Sequence, residues 1–420
     1  MNAIESPICL SNEGSDRATA YNISSKLIRK DQYLFAGWLD APSETDGPVR
    51  IQFGVCDADS GEVLRTFVLG EGTDNHCGPA LVLDADQRLH AMIGAHHGHF
   101  LYRWSDTPEI PESWSLPEPM GPAHSYPALA IDSAGTLHVA YREKADRWKL
   151  QYTRRRKAEP WEPPTDIAIS PTAGYNHFMH GLTVGPTGNL HLTFQLHYSD
   201  TGKALDGKGR AAGYVHSTDG GDSWLHEDVA TELPLTTDTL RPFVACPAGS
   251  PDASIRISPH TIDSQDRPWL YCATEDRGLL WLRNASGWTS TDLSVAAPNL
   301  DLSIAKSSAM SCDAEDNIHL IIATDPAAKL PGWYDPSLEL FHLVFDTDGA
   351  LKAQRQVTET VLDRARWLPA IEHCDWLRPG TVGAGGFWAM YTCGHNAGLM
   401  NQSDYNDALK NRVFLQKLQH

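Results

Sequence analysis

The chain has 420 residues, 41% of them hydrophobic and 9% aromatic, enough to build a large apolar core. Its 34 Lys and Arg against 53 Asp and Glu give a formal net charge of −19. Such a surface repels polyanions, which argues against nucleic acid and anionic membranes as partners, and no run of 18 apolar residues predicts a transmembrane helix.

In chain order, the first residues, MNAIESPICLSNEGSDR, have neither the basic nor the apolar region of a signal peptide, so either the protein is intracellular or a leader was removed before the numbering starts. A first strand cluster is predicted over 33–65, with YLFAGWLDA followed by VRIQFGVCDADSGEV. A phrase then recurs in fixed register: DADQRLH ending at His90, DSAGTLH at His138, GPTGNLH at His191, a degenerate DSQDRPW at Trp269 and DAEDNIH at His319, with spacings of 48, 53, 78 and 50 residues. Repeats of about 40–50 residues holding several short strands are the signature of β-propeller blades. The predicted fold is therefore all-β, one seven-bladed β-propeller ring over 1–420. Its blades lie at 33–65, 81–108, 129–156, 182–224, 260–288, 307–349 and 367–418. In each an inner strand such as LHVAYRE leads through a hairpin to one such as LQYTRRR.

No helix of useful length is expected. STDGGDSW at 217–224 matches the Asp-box pattern, resembles the repeats of sialidases and related propellers, and speaks to fold rather than chemistry. The 225–259 stretch is the longest insertion and is expected to overhang one face. The last strand, NRVFLQKL, is expected to pair with N-terminal residues, because an open ring would expose two sheet edges. Eight cysteines without CxxC spacing read as mostly buried free thiols.

Residues shared by every copy of a repeat are structural by default, so the repeated histidines His90, His138, His191 and His319 are read as structural. Fourteen positions earlier stand His76, His124 and His177 in three adjacent copies, and Asn75-His76 repeats as Asn176-His177. Three imidazoles in register, at a loop entering the inner strand, are candidate site residues. Three positions after the repeated His, Tyr141 alone carries a hydroxyl, although a strand tyrosine more often packs in a core. Six positions after it stand His96, Lys144, His197, Glu275 and Asp325. GAHHGH, with His96, His97 and His99, has metal-like spacing, but no carboxylate or Cys nearby in sequence completes a site, which makes metal the weaker reading. Arg154, Arg155, Arg156 and Lys157 form the only dense basic run; a solvated strand end explains it as well as an anion site does.

Histidine, tyrosine and arginine on neighbouring blades suit β-elimination on a uronate. The C5 proton is acidic only once the carboxylate is neutralised, which a guanidinium does through two hydrogen bonds. A Tyr or His then removes that proton, and a Tyr or His protonates the leaving O4.

The phrases DNHCGPALVLDADQRLHAMIGAHHGHFLYRWSDTP and SYPALAIDSAGTLHVAYREKADRWKLQYTRRR resemble the propeller polysaccharide lyases, namely ulvan lyases and L-rhamnose-α-1,4-D-glucuronate lyases. The similarity covers most of the ring and is sharpest over 74–156. It implies a seven-bladed ring with a canyon on one face and a carbon–oxygen lyase that cleaves a rhamnosyl linkage to O4 of a glucuronate. The catalytic residues it implies are His76, His96, Tyr141 and Arg154, with His97 competing with His96, and Arg155 or Arg156 with Arg154. Asn75, His97, His124, His177, Arg155, Arg156, Arg241 and Arg256 are the candidate substrate-binding residues. The expected partner is an anionic, uronate-containing polysaccharide or oligosaccharide and the expected state a monomer, secreted if it follows the family. No cofactor is expected for the chemistry, and a structural Ca²⁺ in the ring stays open.

Two rival readings share the fold. A sialidase-like hydrolase would need an early Arg-Ile-Pro, and VRIQF at Arg50 lacks the proline. A non-catalytic carbohydrate-binding propeller would need no acid or base at all.

Overall fold

The computed structural model describes residues 6–418 apart from 22, 42–47, 108–109, 247–249, 251, 304–306, 326–334, 361–362, 379–385 and 396–410. One turn of α-helix (Leu293–Ala296) and one 3-10 turn (Ala204–Asp206) are the only helical elements among the described residues; the remaining elements are strands. Neighbouring strands pair antiparallel into sheets of eight, seven, six, five and four strands.

The eight-stranded sheet joins the two ends of the chain. Ile8–Gly14 pairs with Asn411–Lys417 from Ile8↔Leu415 to Gly14↔Asn411, and Gly14 also meets Asp40 of strand Tyr33–Asp40. The expected pairing of the termini is present, and it covers two edges that would otherwise be open. In the seven-stranded sheet the long strand Glu118–Ile131 serves two neighbours. Its first half pairs with His96–Trp104, its second half with Leu137–Glu143. Both faces of these strands are buried. Leu137, Val139 and Tyr141 pack with Val82, Met92 and Phe100 on one side. Ala140, Leu150 and Tyr152 pack with Leu192 and Phe194 on the other. Each large side chain so buried contributes roughly 1.5–3 kcal/mol.

The repeated phrase is a pinned turn. Asp84, Asp132, Asp263 and Asp313 each accept a backbone N–H four residues on, at 2.7–2.9 Å, through one carboxylate oxygen. The other oxygen lies 3.2–3.3 Å from His90, His138 or His319, or accepts the Trp269 indole N–H at 2.8 Å. The second imidazole nitrogen of His90 and of His138 meets the hydroxyl of Tyr102 or Tyr152 on the next strand. The GPTGNLH copy has Gly185 where the others have Asp, and Asp266 of the next turn fills the gap. It lies 3.3 Å from His191, and a side chain at Gly185 would collide with it. The structural reading of these histidines therefore holds, with one adjustment: they stand on the second strand of each group (Leu137–Glu143, for example), behind a first strand such as Glu118–Ile131. The fourth group also runs past residue 224, through Leu225–His226 to Val229–Ala230.

The Asp box forms as expected. Asp219 accepts from Ser217 Oγ and from Ser223 N, and Trp224 packs edge-on against Tyr152. All eight cysteines are free, six of them buried, with Cys246 partly exposed and Cys9 exposed.

Candidate active site

Strand ends on one side of the molecule carry a cluster of imidazoles, phenols and guanidinium groups. Its centre is Asp74, in the turn between strands Val63–Gly72 and Pro79–Leu83. Asp74 Oδ1 lies 2.9 Å from His76 Nδ1, and Oδ2 lies 2.5 Å from Nδ1 of His96, the first residue of strand His96–Trp104. An ionised carboxylate only accepts, so each Nδ1 donates and each Nε2 is left for other partners. The two rings stack at 4.2 Å, and His97 lies 4.2 Å further on. Burial opposes charge on Asp74, yet its bonds to the two imidazoles hold the carboxyl well below the usual carboxylate range. Burial likewise pushes His76 down to about 4, so this ring is neutral, and its Nε2 lies 3.0 Å from Arg17 Nη1.

The N-terminal segment supplies Arg17 and Tyr21, which hydrogen bond to each other at 2.5 Å. Asn75 draws this segment in, donating to Asp16 at 2.7 Å. Tyr21 stacks on His76 and meets Tyr126 edge-on at 4.8 Å. Tyr126 in turn lies edge-on to His177 at 5.2 Å. Over Tyr126 stands Arg142, its guanidinium carbon 4.4 Å from that ring, 4.6 Å from Trp148 and 5.7 Å from Tyr175. Arg142 is 0% exposed, and none of its three guanidinium nitrogens has a hydrogen-bond partner among the described residues. Leaving a buried charge unbonded costs several kcal/mol, of which cation–π contact returns about 2. Unmet buried donors of this kind concentrate where a ligand's anion completes the set.

A β-bulge creates the Tyr126–Arg142 pair. Ala140 pairs with Ala128 and Arg142 with Ser125, so the partner strand carries one extra residue at Tyr126-Pro127, and Tyr126 has φ +62°. The bulge breaks the alternation of faces. His124 and Tyr126 would share a face in a regular strand; here His124 turns one way and Tyr126 the other.

The sequence candidates accordingly divide. His76, His96, His97 and His177 meet in the cluster. Burial first and the charge of Arg142 next push His177 well down, while burial and then the charge of Arg256, from the long insertion, push His197 down to about 3. Tyr141 lies elsewhere. It is 1% exposed, packed edge-on against Phe100 and 4.0 Å from the ring of His124, with its phenol pushed up by burial. His124 is a strand residue here rather than a loop residue. Arg154 binds Glu162 at 2.9 Å, the Gly220 carbonyl at 2.5 Å and Asp222, which ties it to the Asp-box hairpin. Arg155 bonds Glu118, Arg156 bonds Glu162, and Arg241 pairs with Glu227 at the surface. Tyr141 therefore meets His124 alone of the candidate histidines and Arg154 meets none of them, whereas Tyr126 lies against His76 and His177 with Arg142 over its ring. Both had a signal in the sequence. Tyr126 precedes a proline, which cannot donate to a ladder and marks a bulge inside a strand. Arg142 stands one column after Tyr141, where the other copies have Gly94, Gln195, Ala273 and Ala323.

A carboxylate does reach the GAHHGH histidines, contrary to the sequence expectation. Asp74, His76 and His96 are the one group of potential metal ligands found among the described residues, with donor atoms within 4.8 Å of one another. Both oxygens of Asp74 are engaged by imidazole nitrogens, so the trio is arranged as a hydrogen-bonded positioning device. A central Ca²⁺ fits poorly. The cavity of about 60 Å³ where strand groups converge is lined by Lys26, Thr183, His260 and His373 among others and, among the described residues, by no carboxylate, whereas Ca²⁺ takes oxygen ligands.

Asp74→Asn should leave the fold intact, because the amide replaces the carboxylate isosterically, but it releases the imidazole tautomers. Turnover should fall roughly 10–100-fold, the usual cost of losing such a partner. An unchanged pH–rate profile and rate would show that Asp74 positions nothing.

Buried histidines also predict acid sensitivity. His76, His124 and His180 are held at about 4 in the fold, by burial first, against 6.5 as their ordinary value. The unfolded chain therefore binds more protons between these limits, so stability is full above pH 6.5 and is lost as pH falls toward 4, by up to on the order of 3 kcal/mol per group. Thermal melts across this window should show Tm dropping by several degrees; a flat profile would mean that these rings are already charged in the fold.

Several solved structures share the architecture. A polysaccharide lyase of the PL25 ulvan lyase family matches with TM-score 0.69 and 12% identity, covering 98% of this chain and 96% of that one; a second structure of it holds -[GlcA(1-4)Rha3S]-. The polysaccharide lyase Uly1 matches at TM-score 0.58 and 11% identity over 99% and 100%. The BP39L lectin from Burkholderia pseudomallei matches at 0.54 and 13% over 88% and 96%. No curated protein matches the sequence. The model of the BNR repeat-containing family matches residues 35–358, more than half of the chain, and the protein therefore belongs to that family.

Proposed function

We propose that the protein is a polysaccharide lyase that cleaves the bond to O4 of a uronate by β-elimination, leaving a 4,5-unsaturated uronate, and that its substrate carries a rhamnosyl-α-1,4-glucuronate linkage. The observation that carries this reading is Arg142, a fully buried guanidinium without a hydrogen-bond partner among the described residues, set over Tyr126, whose ring lies 6.1 Å from that of His76. The likeness to the two lyases, one of them bound to a glucuronate–rhamnose oligosaccharide, supports the substrate class. We read the strand groups as seven blades of a single ring spanning 1–420, closed by the terminal strands, and the working unit as a monomer.

The residues suffice for the step. Arg142 pairs with the substrate carboxylate and makes the C5 proton removable. Burial raises the Tyr126 phenol well above 10, against the pull of Arg142, so this residue rests protonated. A lone pair suited to C5–H is therefore found on an imidazole, and Nε2 of His96, whose Nδ1 faces Asp74, is the candidate base. As the C5–H pair becomes the C4=C5 double bond, the C4–O4 bond breaks and Tyr126 protonates O4. The imidazolium then returns its proton to the phenolate through solvent. Charge neutralisation and proton transfer are both met by side chains, so activity should survive EDTA; loss of activity on chelation, restored by added metal, would overturn this part.

Incubation with ulvan, gum arabic and glycosaminoglycans tests the class. At least one should yield a rise in ultraviolet absorbance from a conjugated uronate. A binding propeller would give no product, and a sialidase-like hydrolase would give product without absorbance.

A further inference from the structure

The basic run Arg154–Lys157 takes no part in the cluster, yet Arg155, Arg156 and Lys157 line a separate cavity of about 280 Å³. It lies at the other end of the same strands. Trp148, beside Arg142, precedes strand Lys149–Arg155, and Arg155 ends it, a separation of roughly 23 Å at about 3.3 Å per residue. The cavity is close to the lower limit of ligand-sized clefts, about 300 Å³.

Two kinds of group meet there. One wall is aromatic: Trp104, partly exposed, lies tilted against Tyr102 at 5.6 Å, and the Arg155 guanidinium lies 5.1 Å over the Tyr102 ring. The other is cationic, with Arg88, Arg155, Arg156 and Lys157 against the carboxylates of Asp84 and Asp86. Asp84 is occupied by His90 and the Arg88 backbone N–H. The Lys157–Asp86 pair is open to water, at 70% and 62% side-chain exposure, and such pairs are worth little, so a ligand's anion can replace the carboxylate. Arg155 and Arg156 are held by Glu118 and Glu162, so the cations open to a ligand are Lys157 and Arg88, whose side chain bonds the carbonyls of Ser105 and Asp106 and no carboxylate among the described residues. In a chain of net charge −19, such a pair beside an aromatic face is selective for one chemistry. That chemistry is a ring with an apolar face and a carboxylate or sulfate at its edge.

We propose that this cavity is a second, non-catalytic site for an anionic sugar unit, a uronate or a sulfated sugar, of the same polymer; the inference rests on the polysaccharide reading. Its effect is retention: a chain held there stays at high effective concentration near the cluster.

The test is migration in native gels containing ulvan, chondroitin sulfate or neutral dextran, with Tyr126→Phe as background so that nothing is cleaved. Trp104→Ala and, separately, Arg156→Glu with Lys157→Glu should each weaken binding to an acidic polymer at least fivefold and change nothing in dextran. The second variant alters only surface side chains, so it remains informative if Trp104→Ala folds poorly. Equal retardation of all forms would overturn the site. So would a loss confined to the charge reversals and erased by salt, which is nonspecific attraction. The wild-type ultraviolet assay is read independently: absence of product there removes the lyase reading, while the gels still decide the site.

Discussion

Tyr126→Phe is expected to lower kcat by two decades or more while the protein keeps its fold and its melting temperature. The ring remains to pack against Tyr21, His177 and Arg142, and only the hydroxyl that serves O4 is removed. Loss of a positioned acid or base typically costs 10²–10⁴-fold. The control is Tyr141→Phe, which should turn over at close to the wild-type rate. That phenol is buried between strand groups, against Phe100 and His124. Steady-state kinetics on one polymer with both variants separates the two tyrosines. The reverse ranking would return the acid role to Tyr141 and detach Tyr126 from the chemistry.

Arg142→Lys should be the second severe loss. Lysine keeps the charge but not the planar fork that pairs with a carboxylate, nor the flat face that stacks on Tyr126 and Trp148. A drop in kcat/KM of about 100-fold or more is expected, insensitive to salt because the group is buried. Arg154→Lys should behave differently. Arg154 bridges Glu162, the Gly220 carbonyl and Asp222 across two strand groups, so its loss should lower Tm and leave kcat/KM within about threefold. If Arg154→Lys disables turnover and Arg142→Lys does not, the carboxylate is held at the other end of the strand.

Much of the architecture was legible in the sequence because it is local. The Asp-to-His turns and the Asp-box hairpin are built from residues within a few positions of each other, and the pairing of NRVFLQKL with the N-terminus follows from the need to cover sheet edges. The site was half legible. His76 was found because it recurs in register with His124 and His177, and His96 through the GAHHGH segment and the resemblance; the two do converge. Tyr126 was missed because only the bulge at Tyr126-Pro127 turns it toward the cluster, whereas the column comparison and the resemblance drew attention to Tyr141. Asp74 meets His76 locally, two residues on, but its bond to His96 and the approach of Arg17 and Tyr21 to His76 are tertiary contacts that no spacing along the chain announces. The RRRK run drew attention as the densest positive charge, but its partners are carboxylates at the far strand ends.

The central claim, elimination at the Tyr126–Arg142–imidazole cluster, is tested most directly by counting two products in one reaction. Wild-type protein acting on ulvan should form one ultraviolet-absorbing unsaturated uronate for every new reducing end, and Tyr126→Phe should form neither. New reducing ends without the absorbance would mean hydrolysis, and equal yields from wild type and Tyr126→Phe would mean that the bond is broken somewhere other than this cluster.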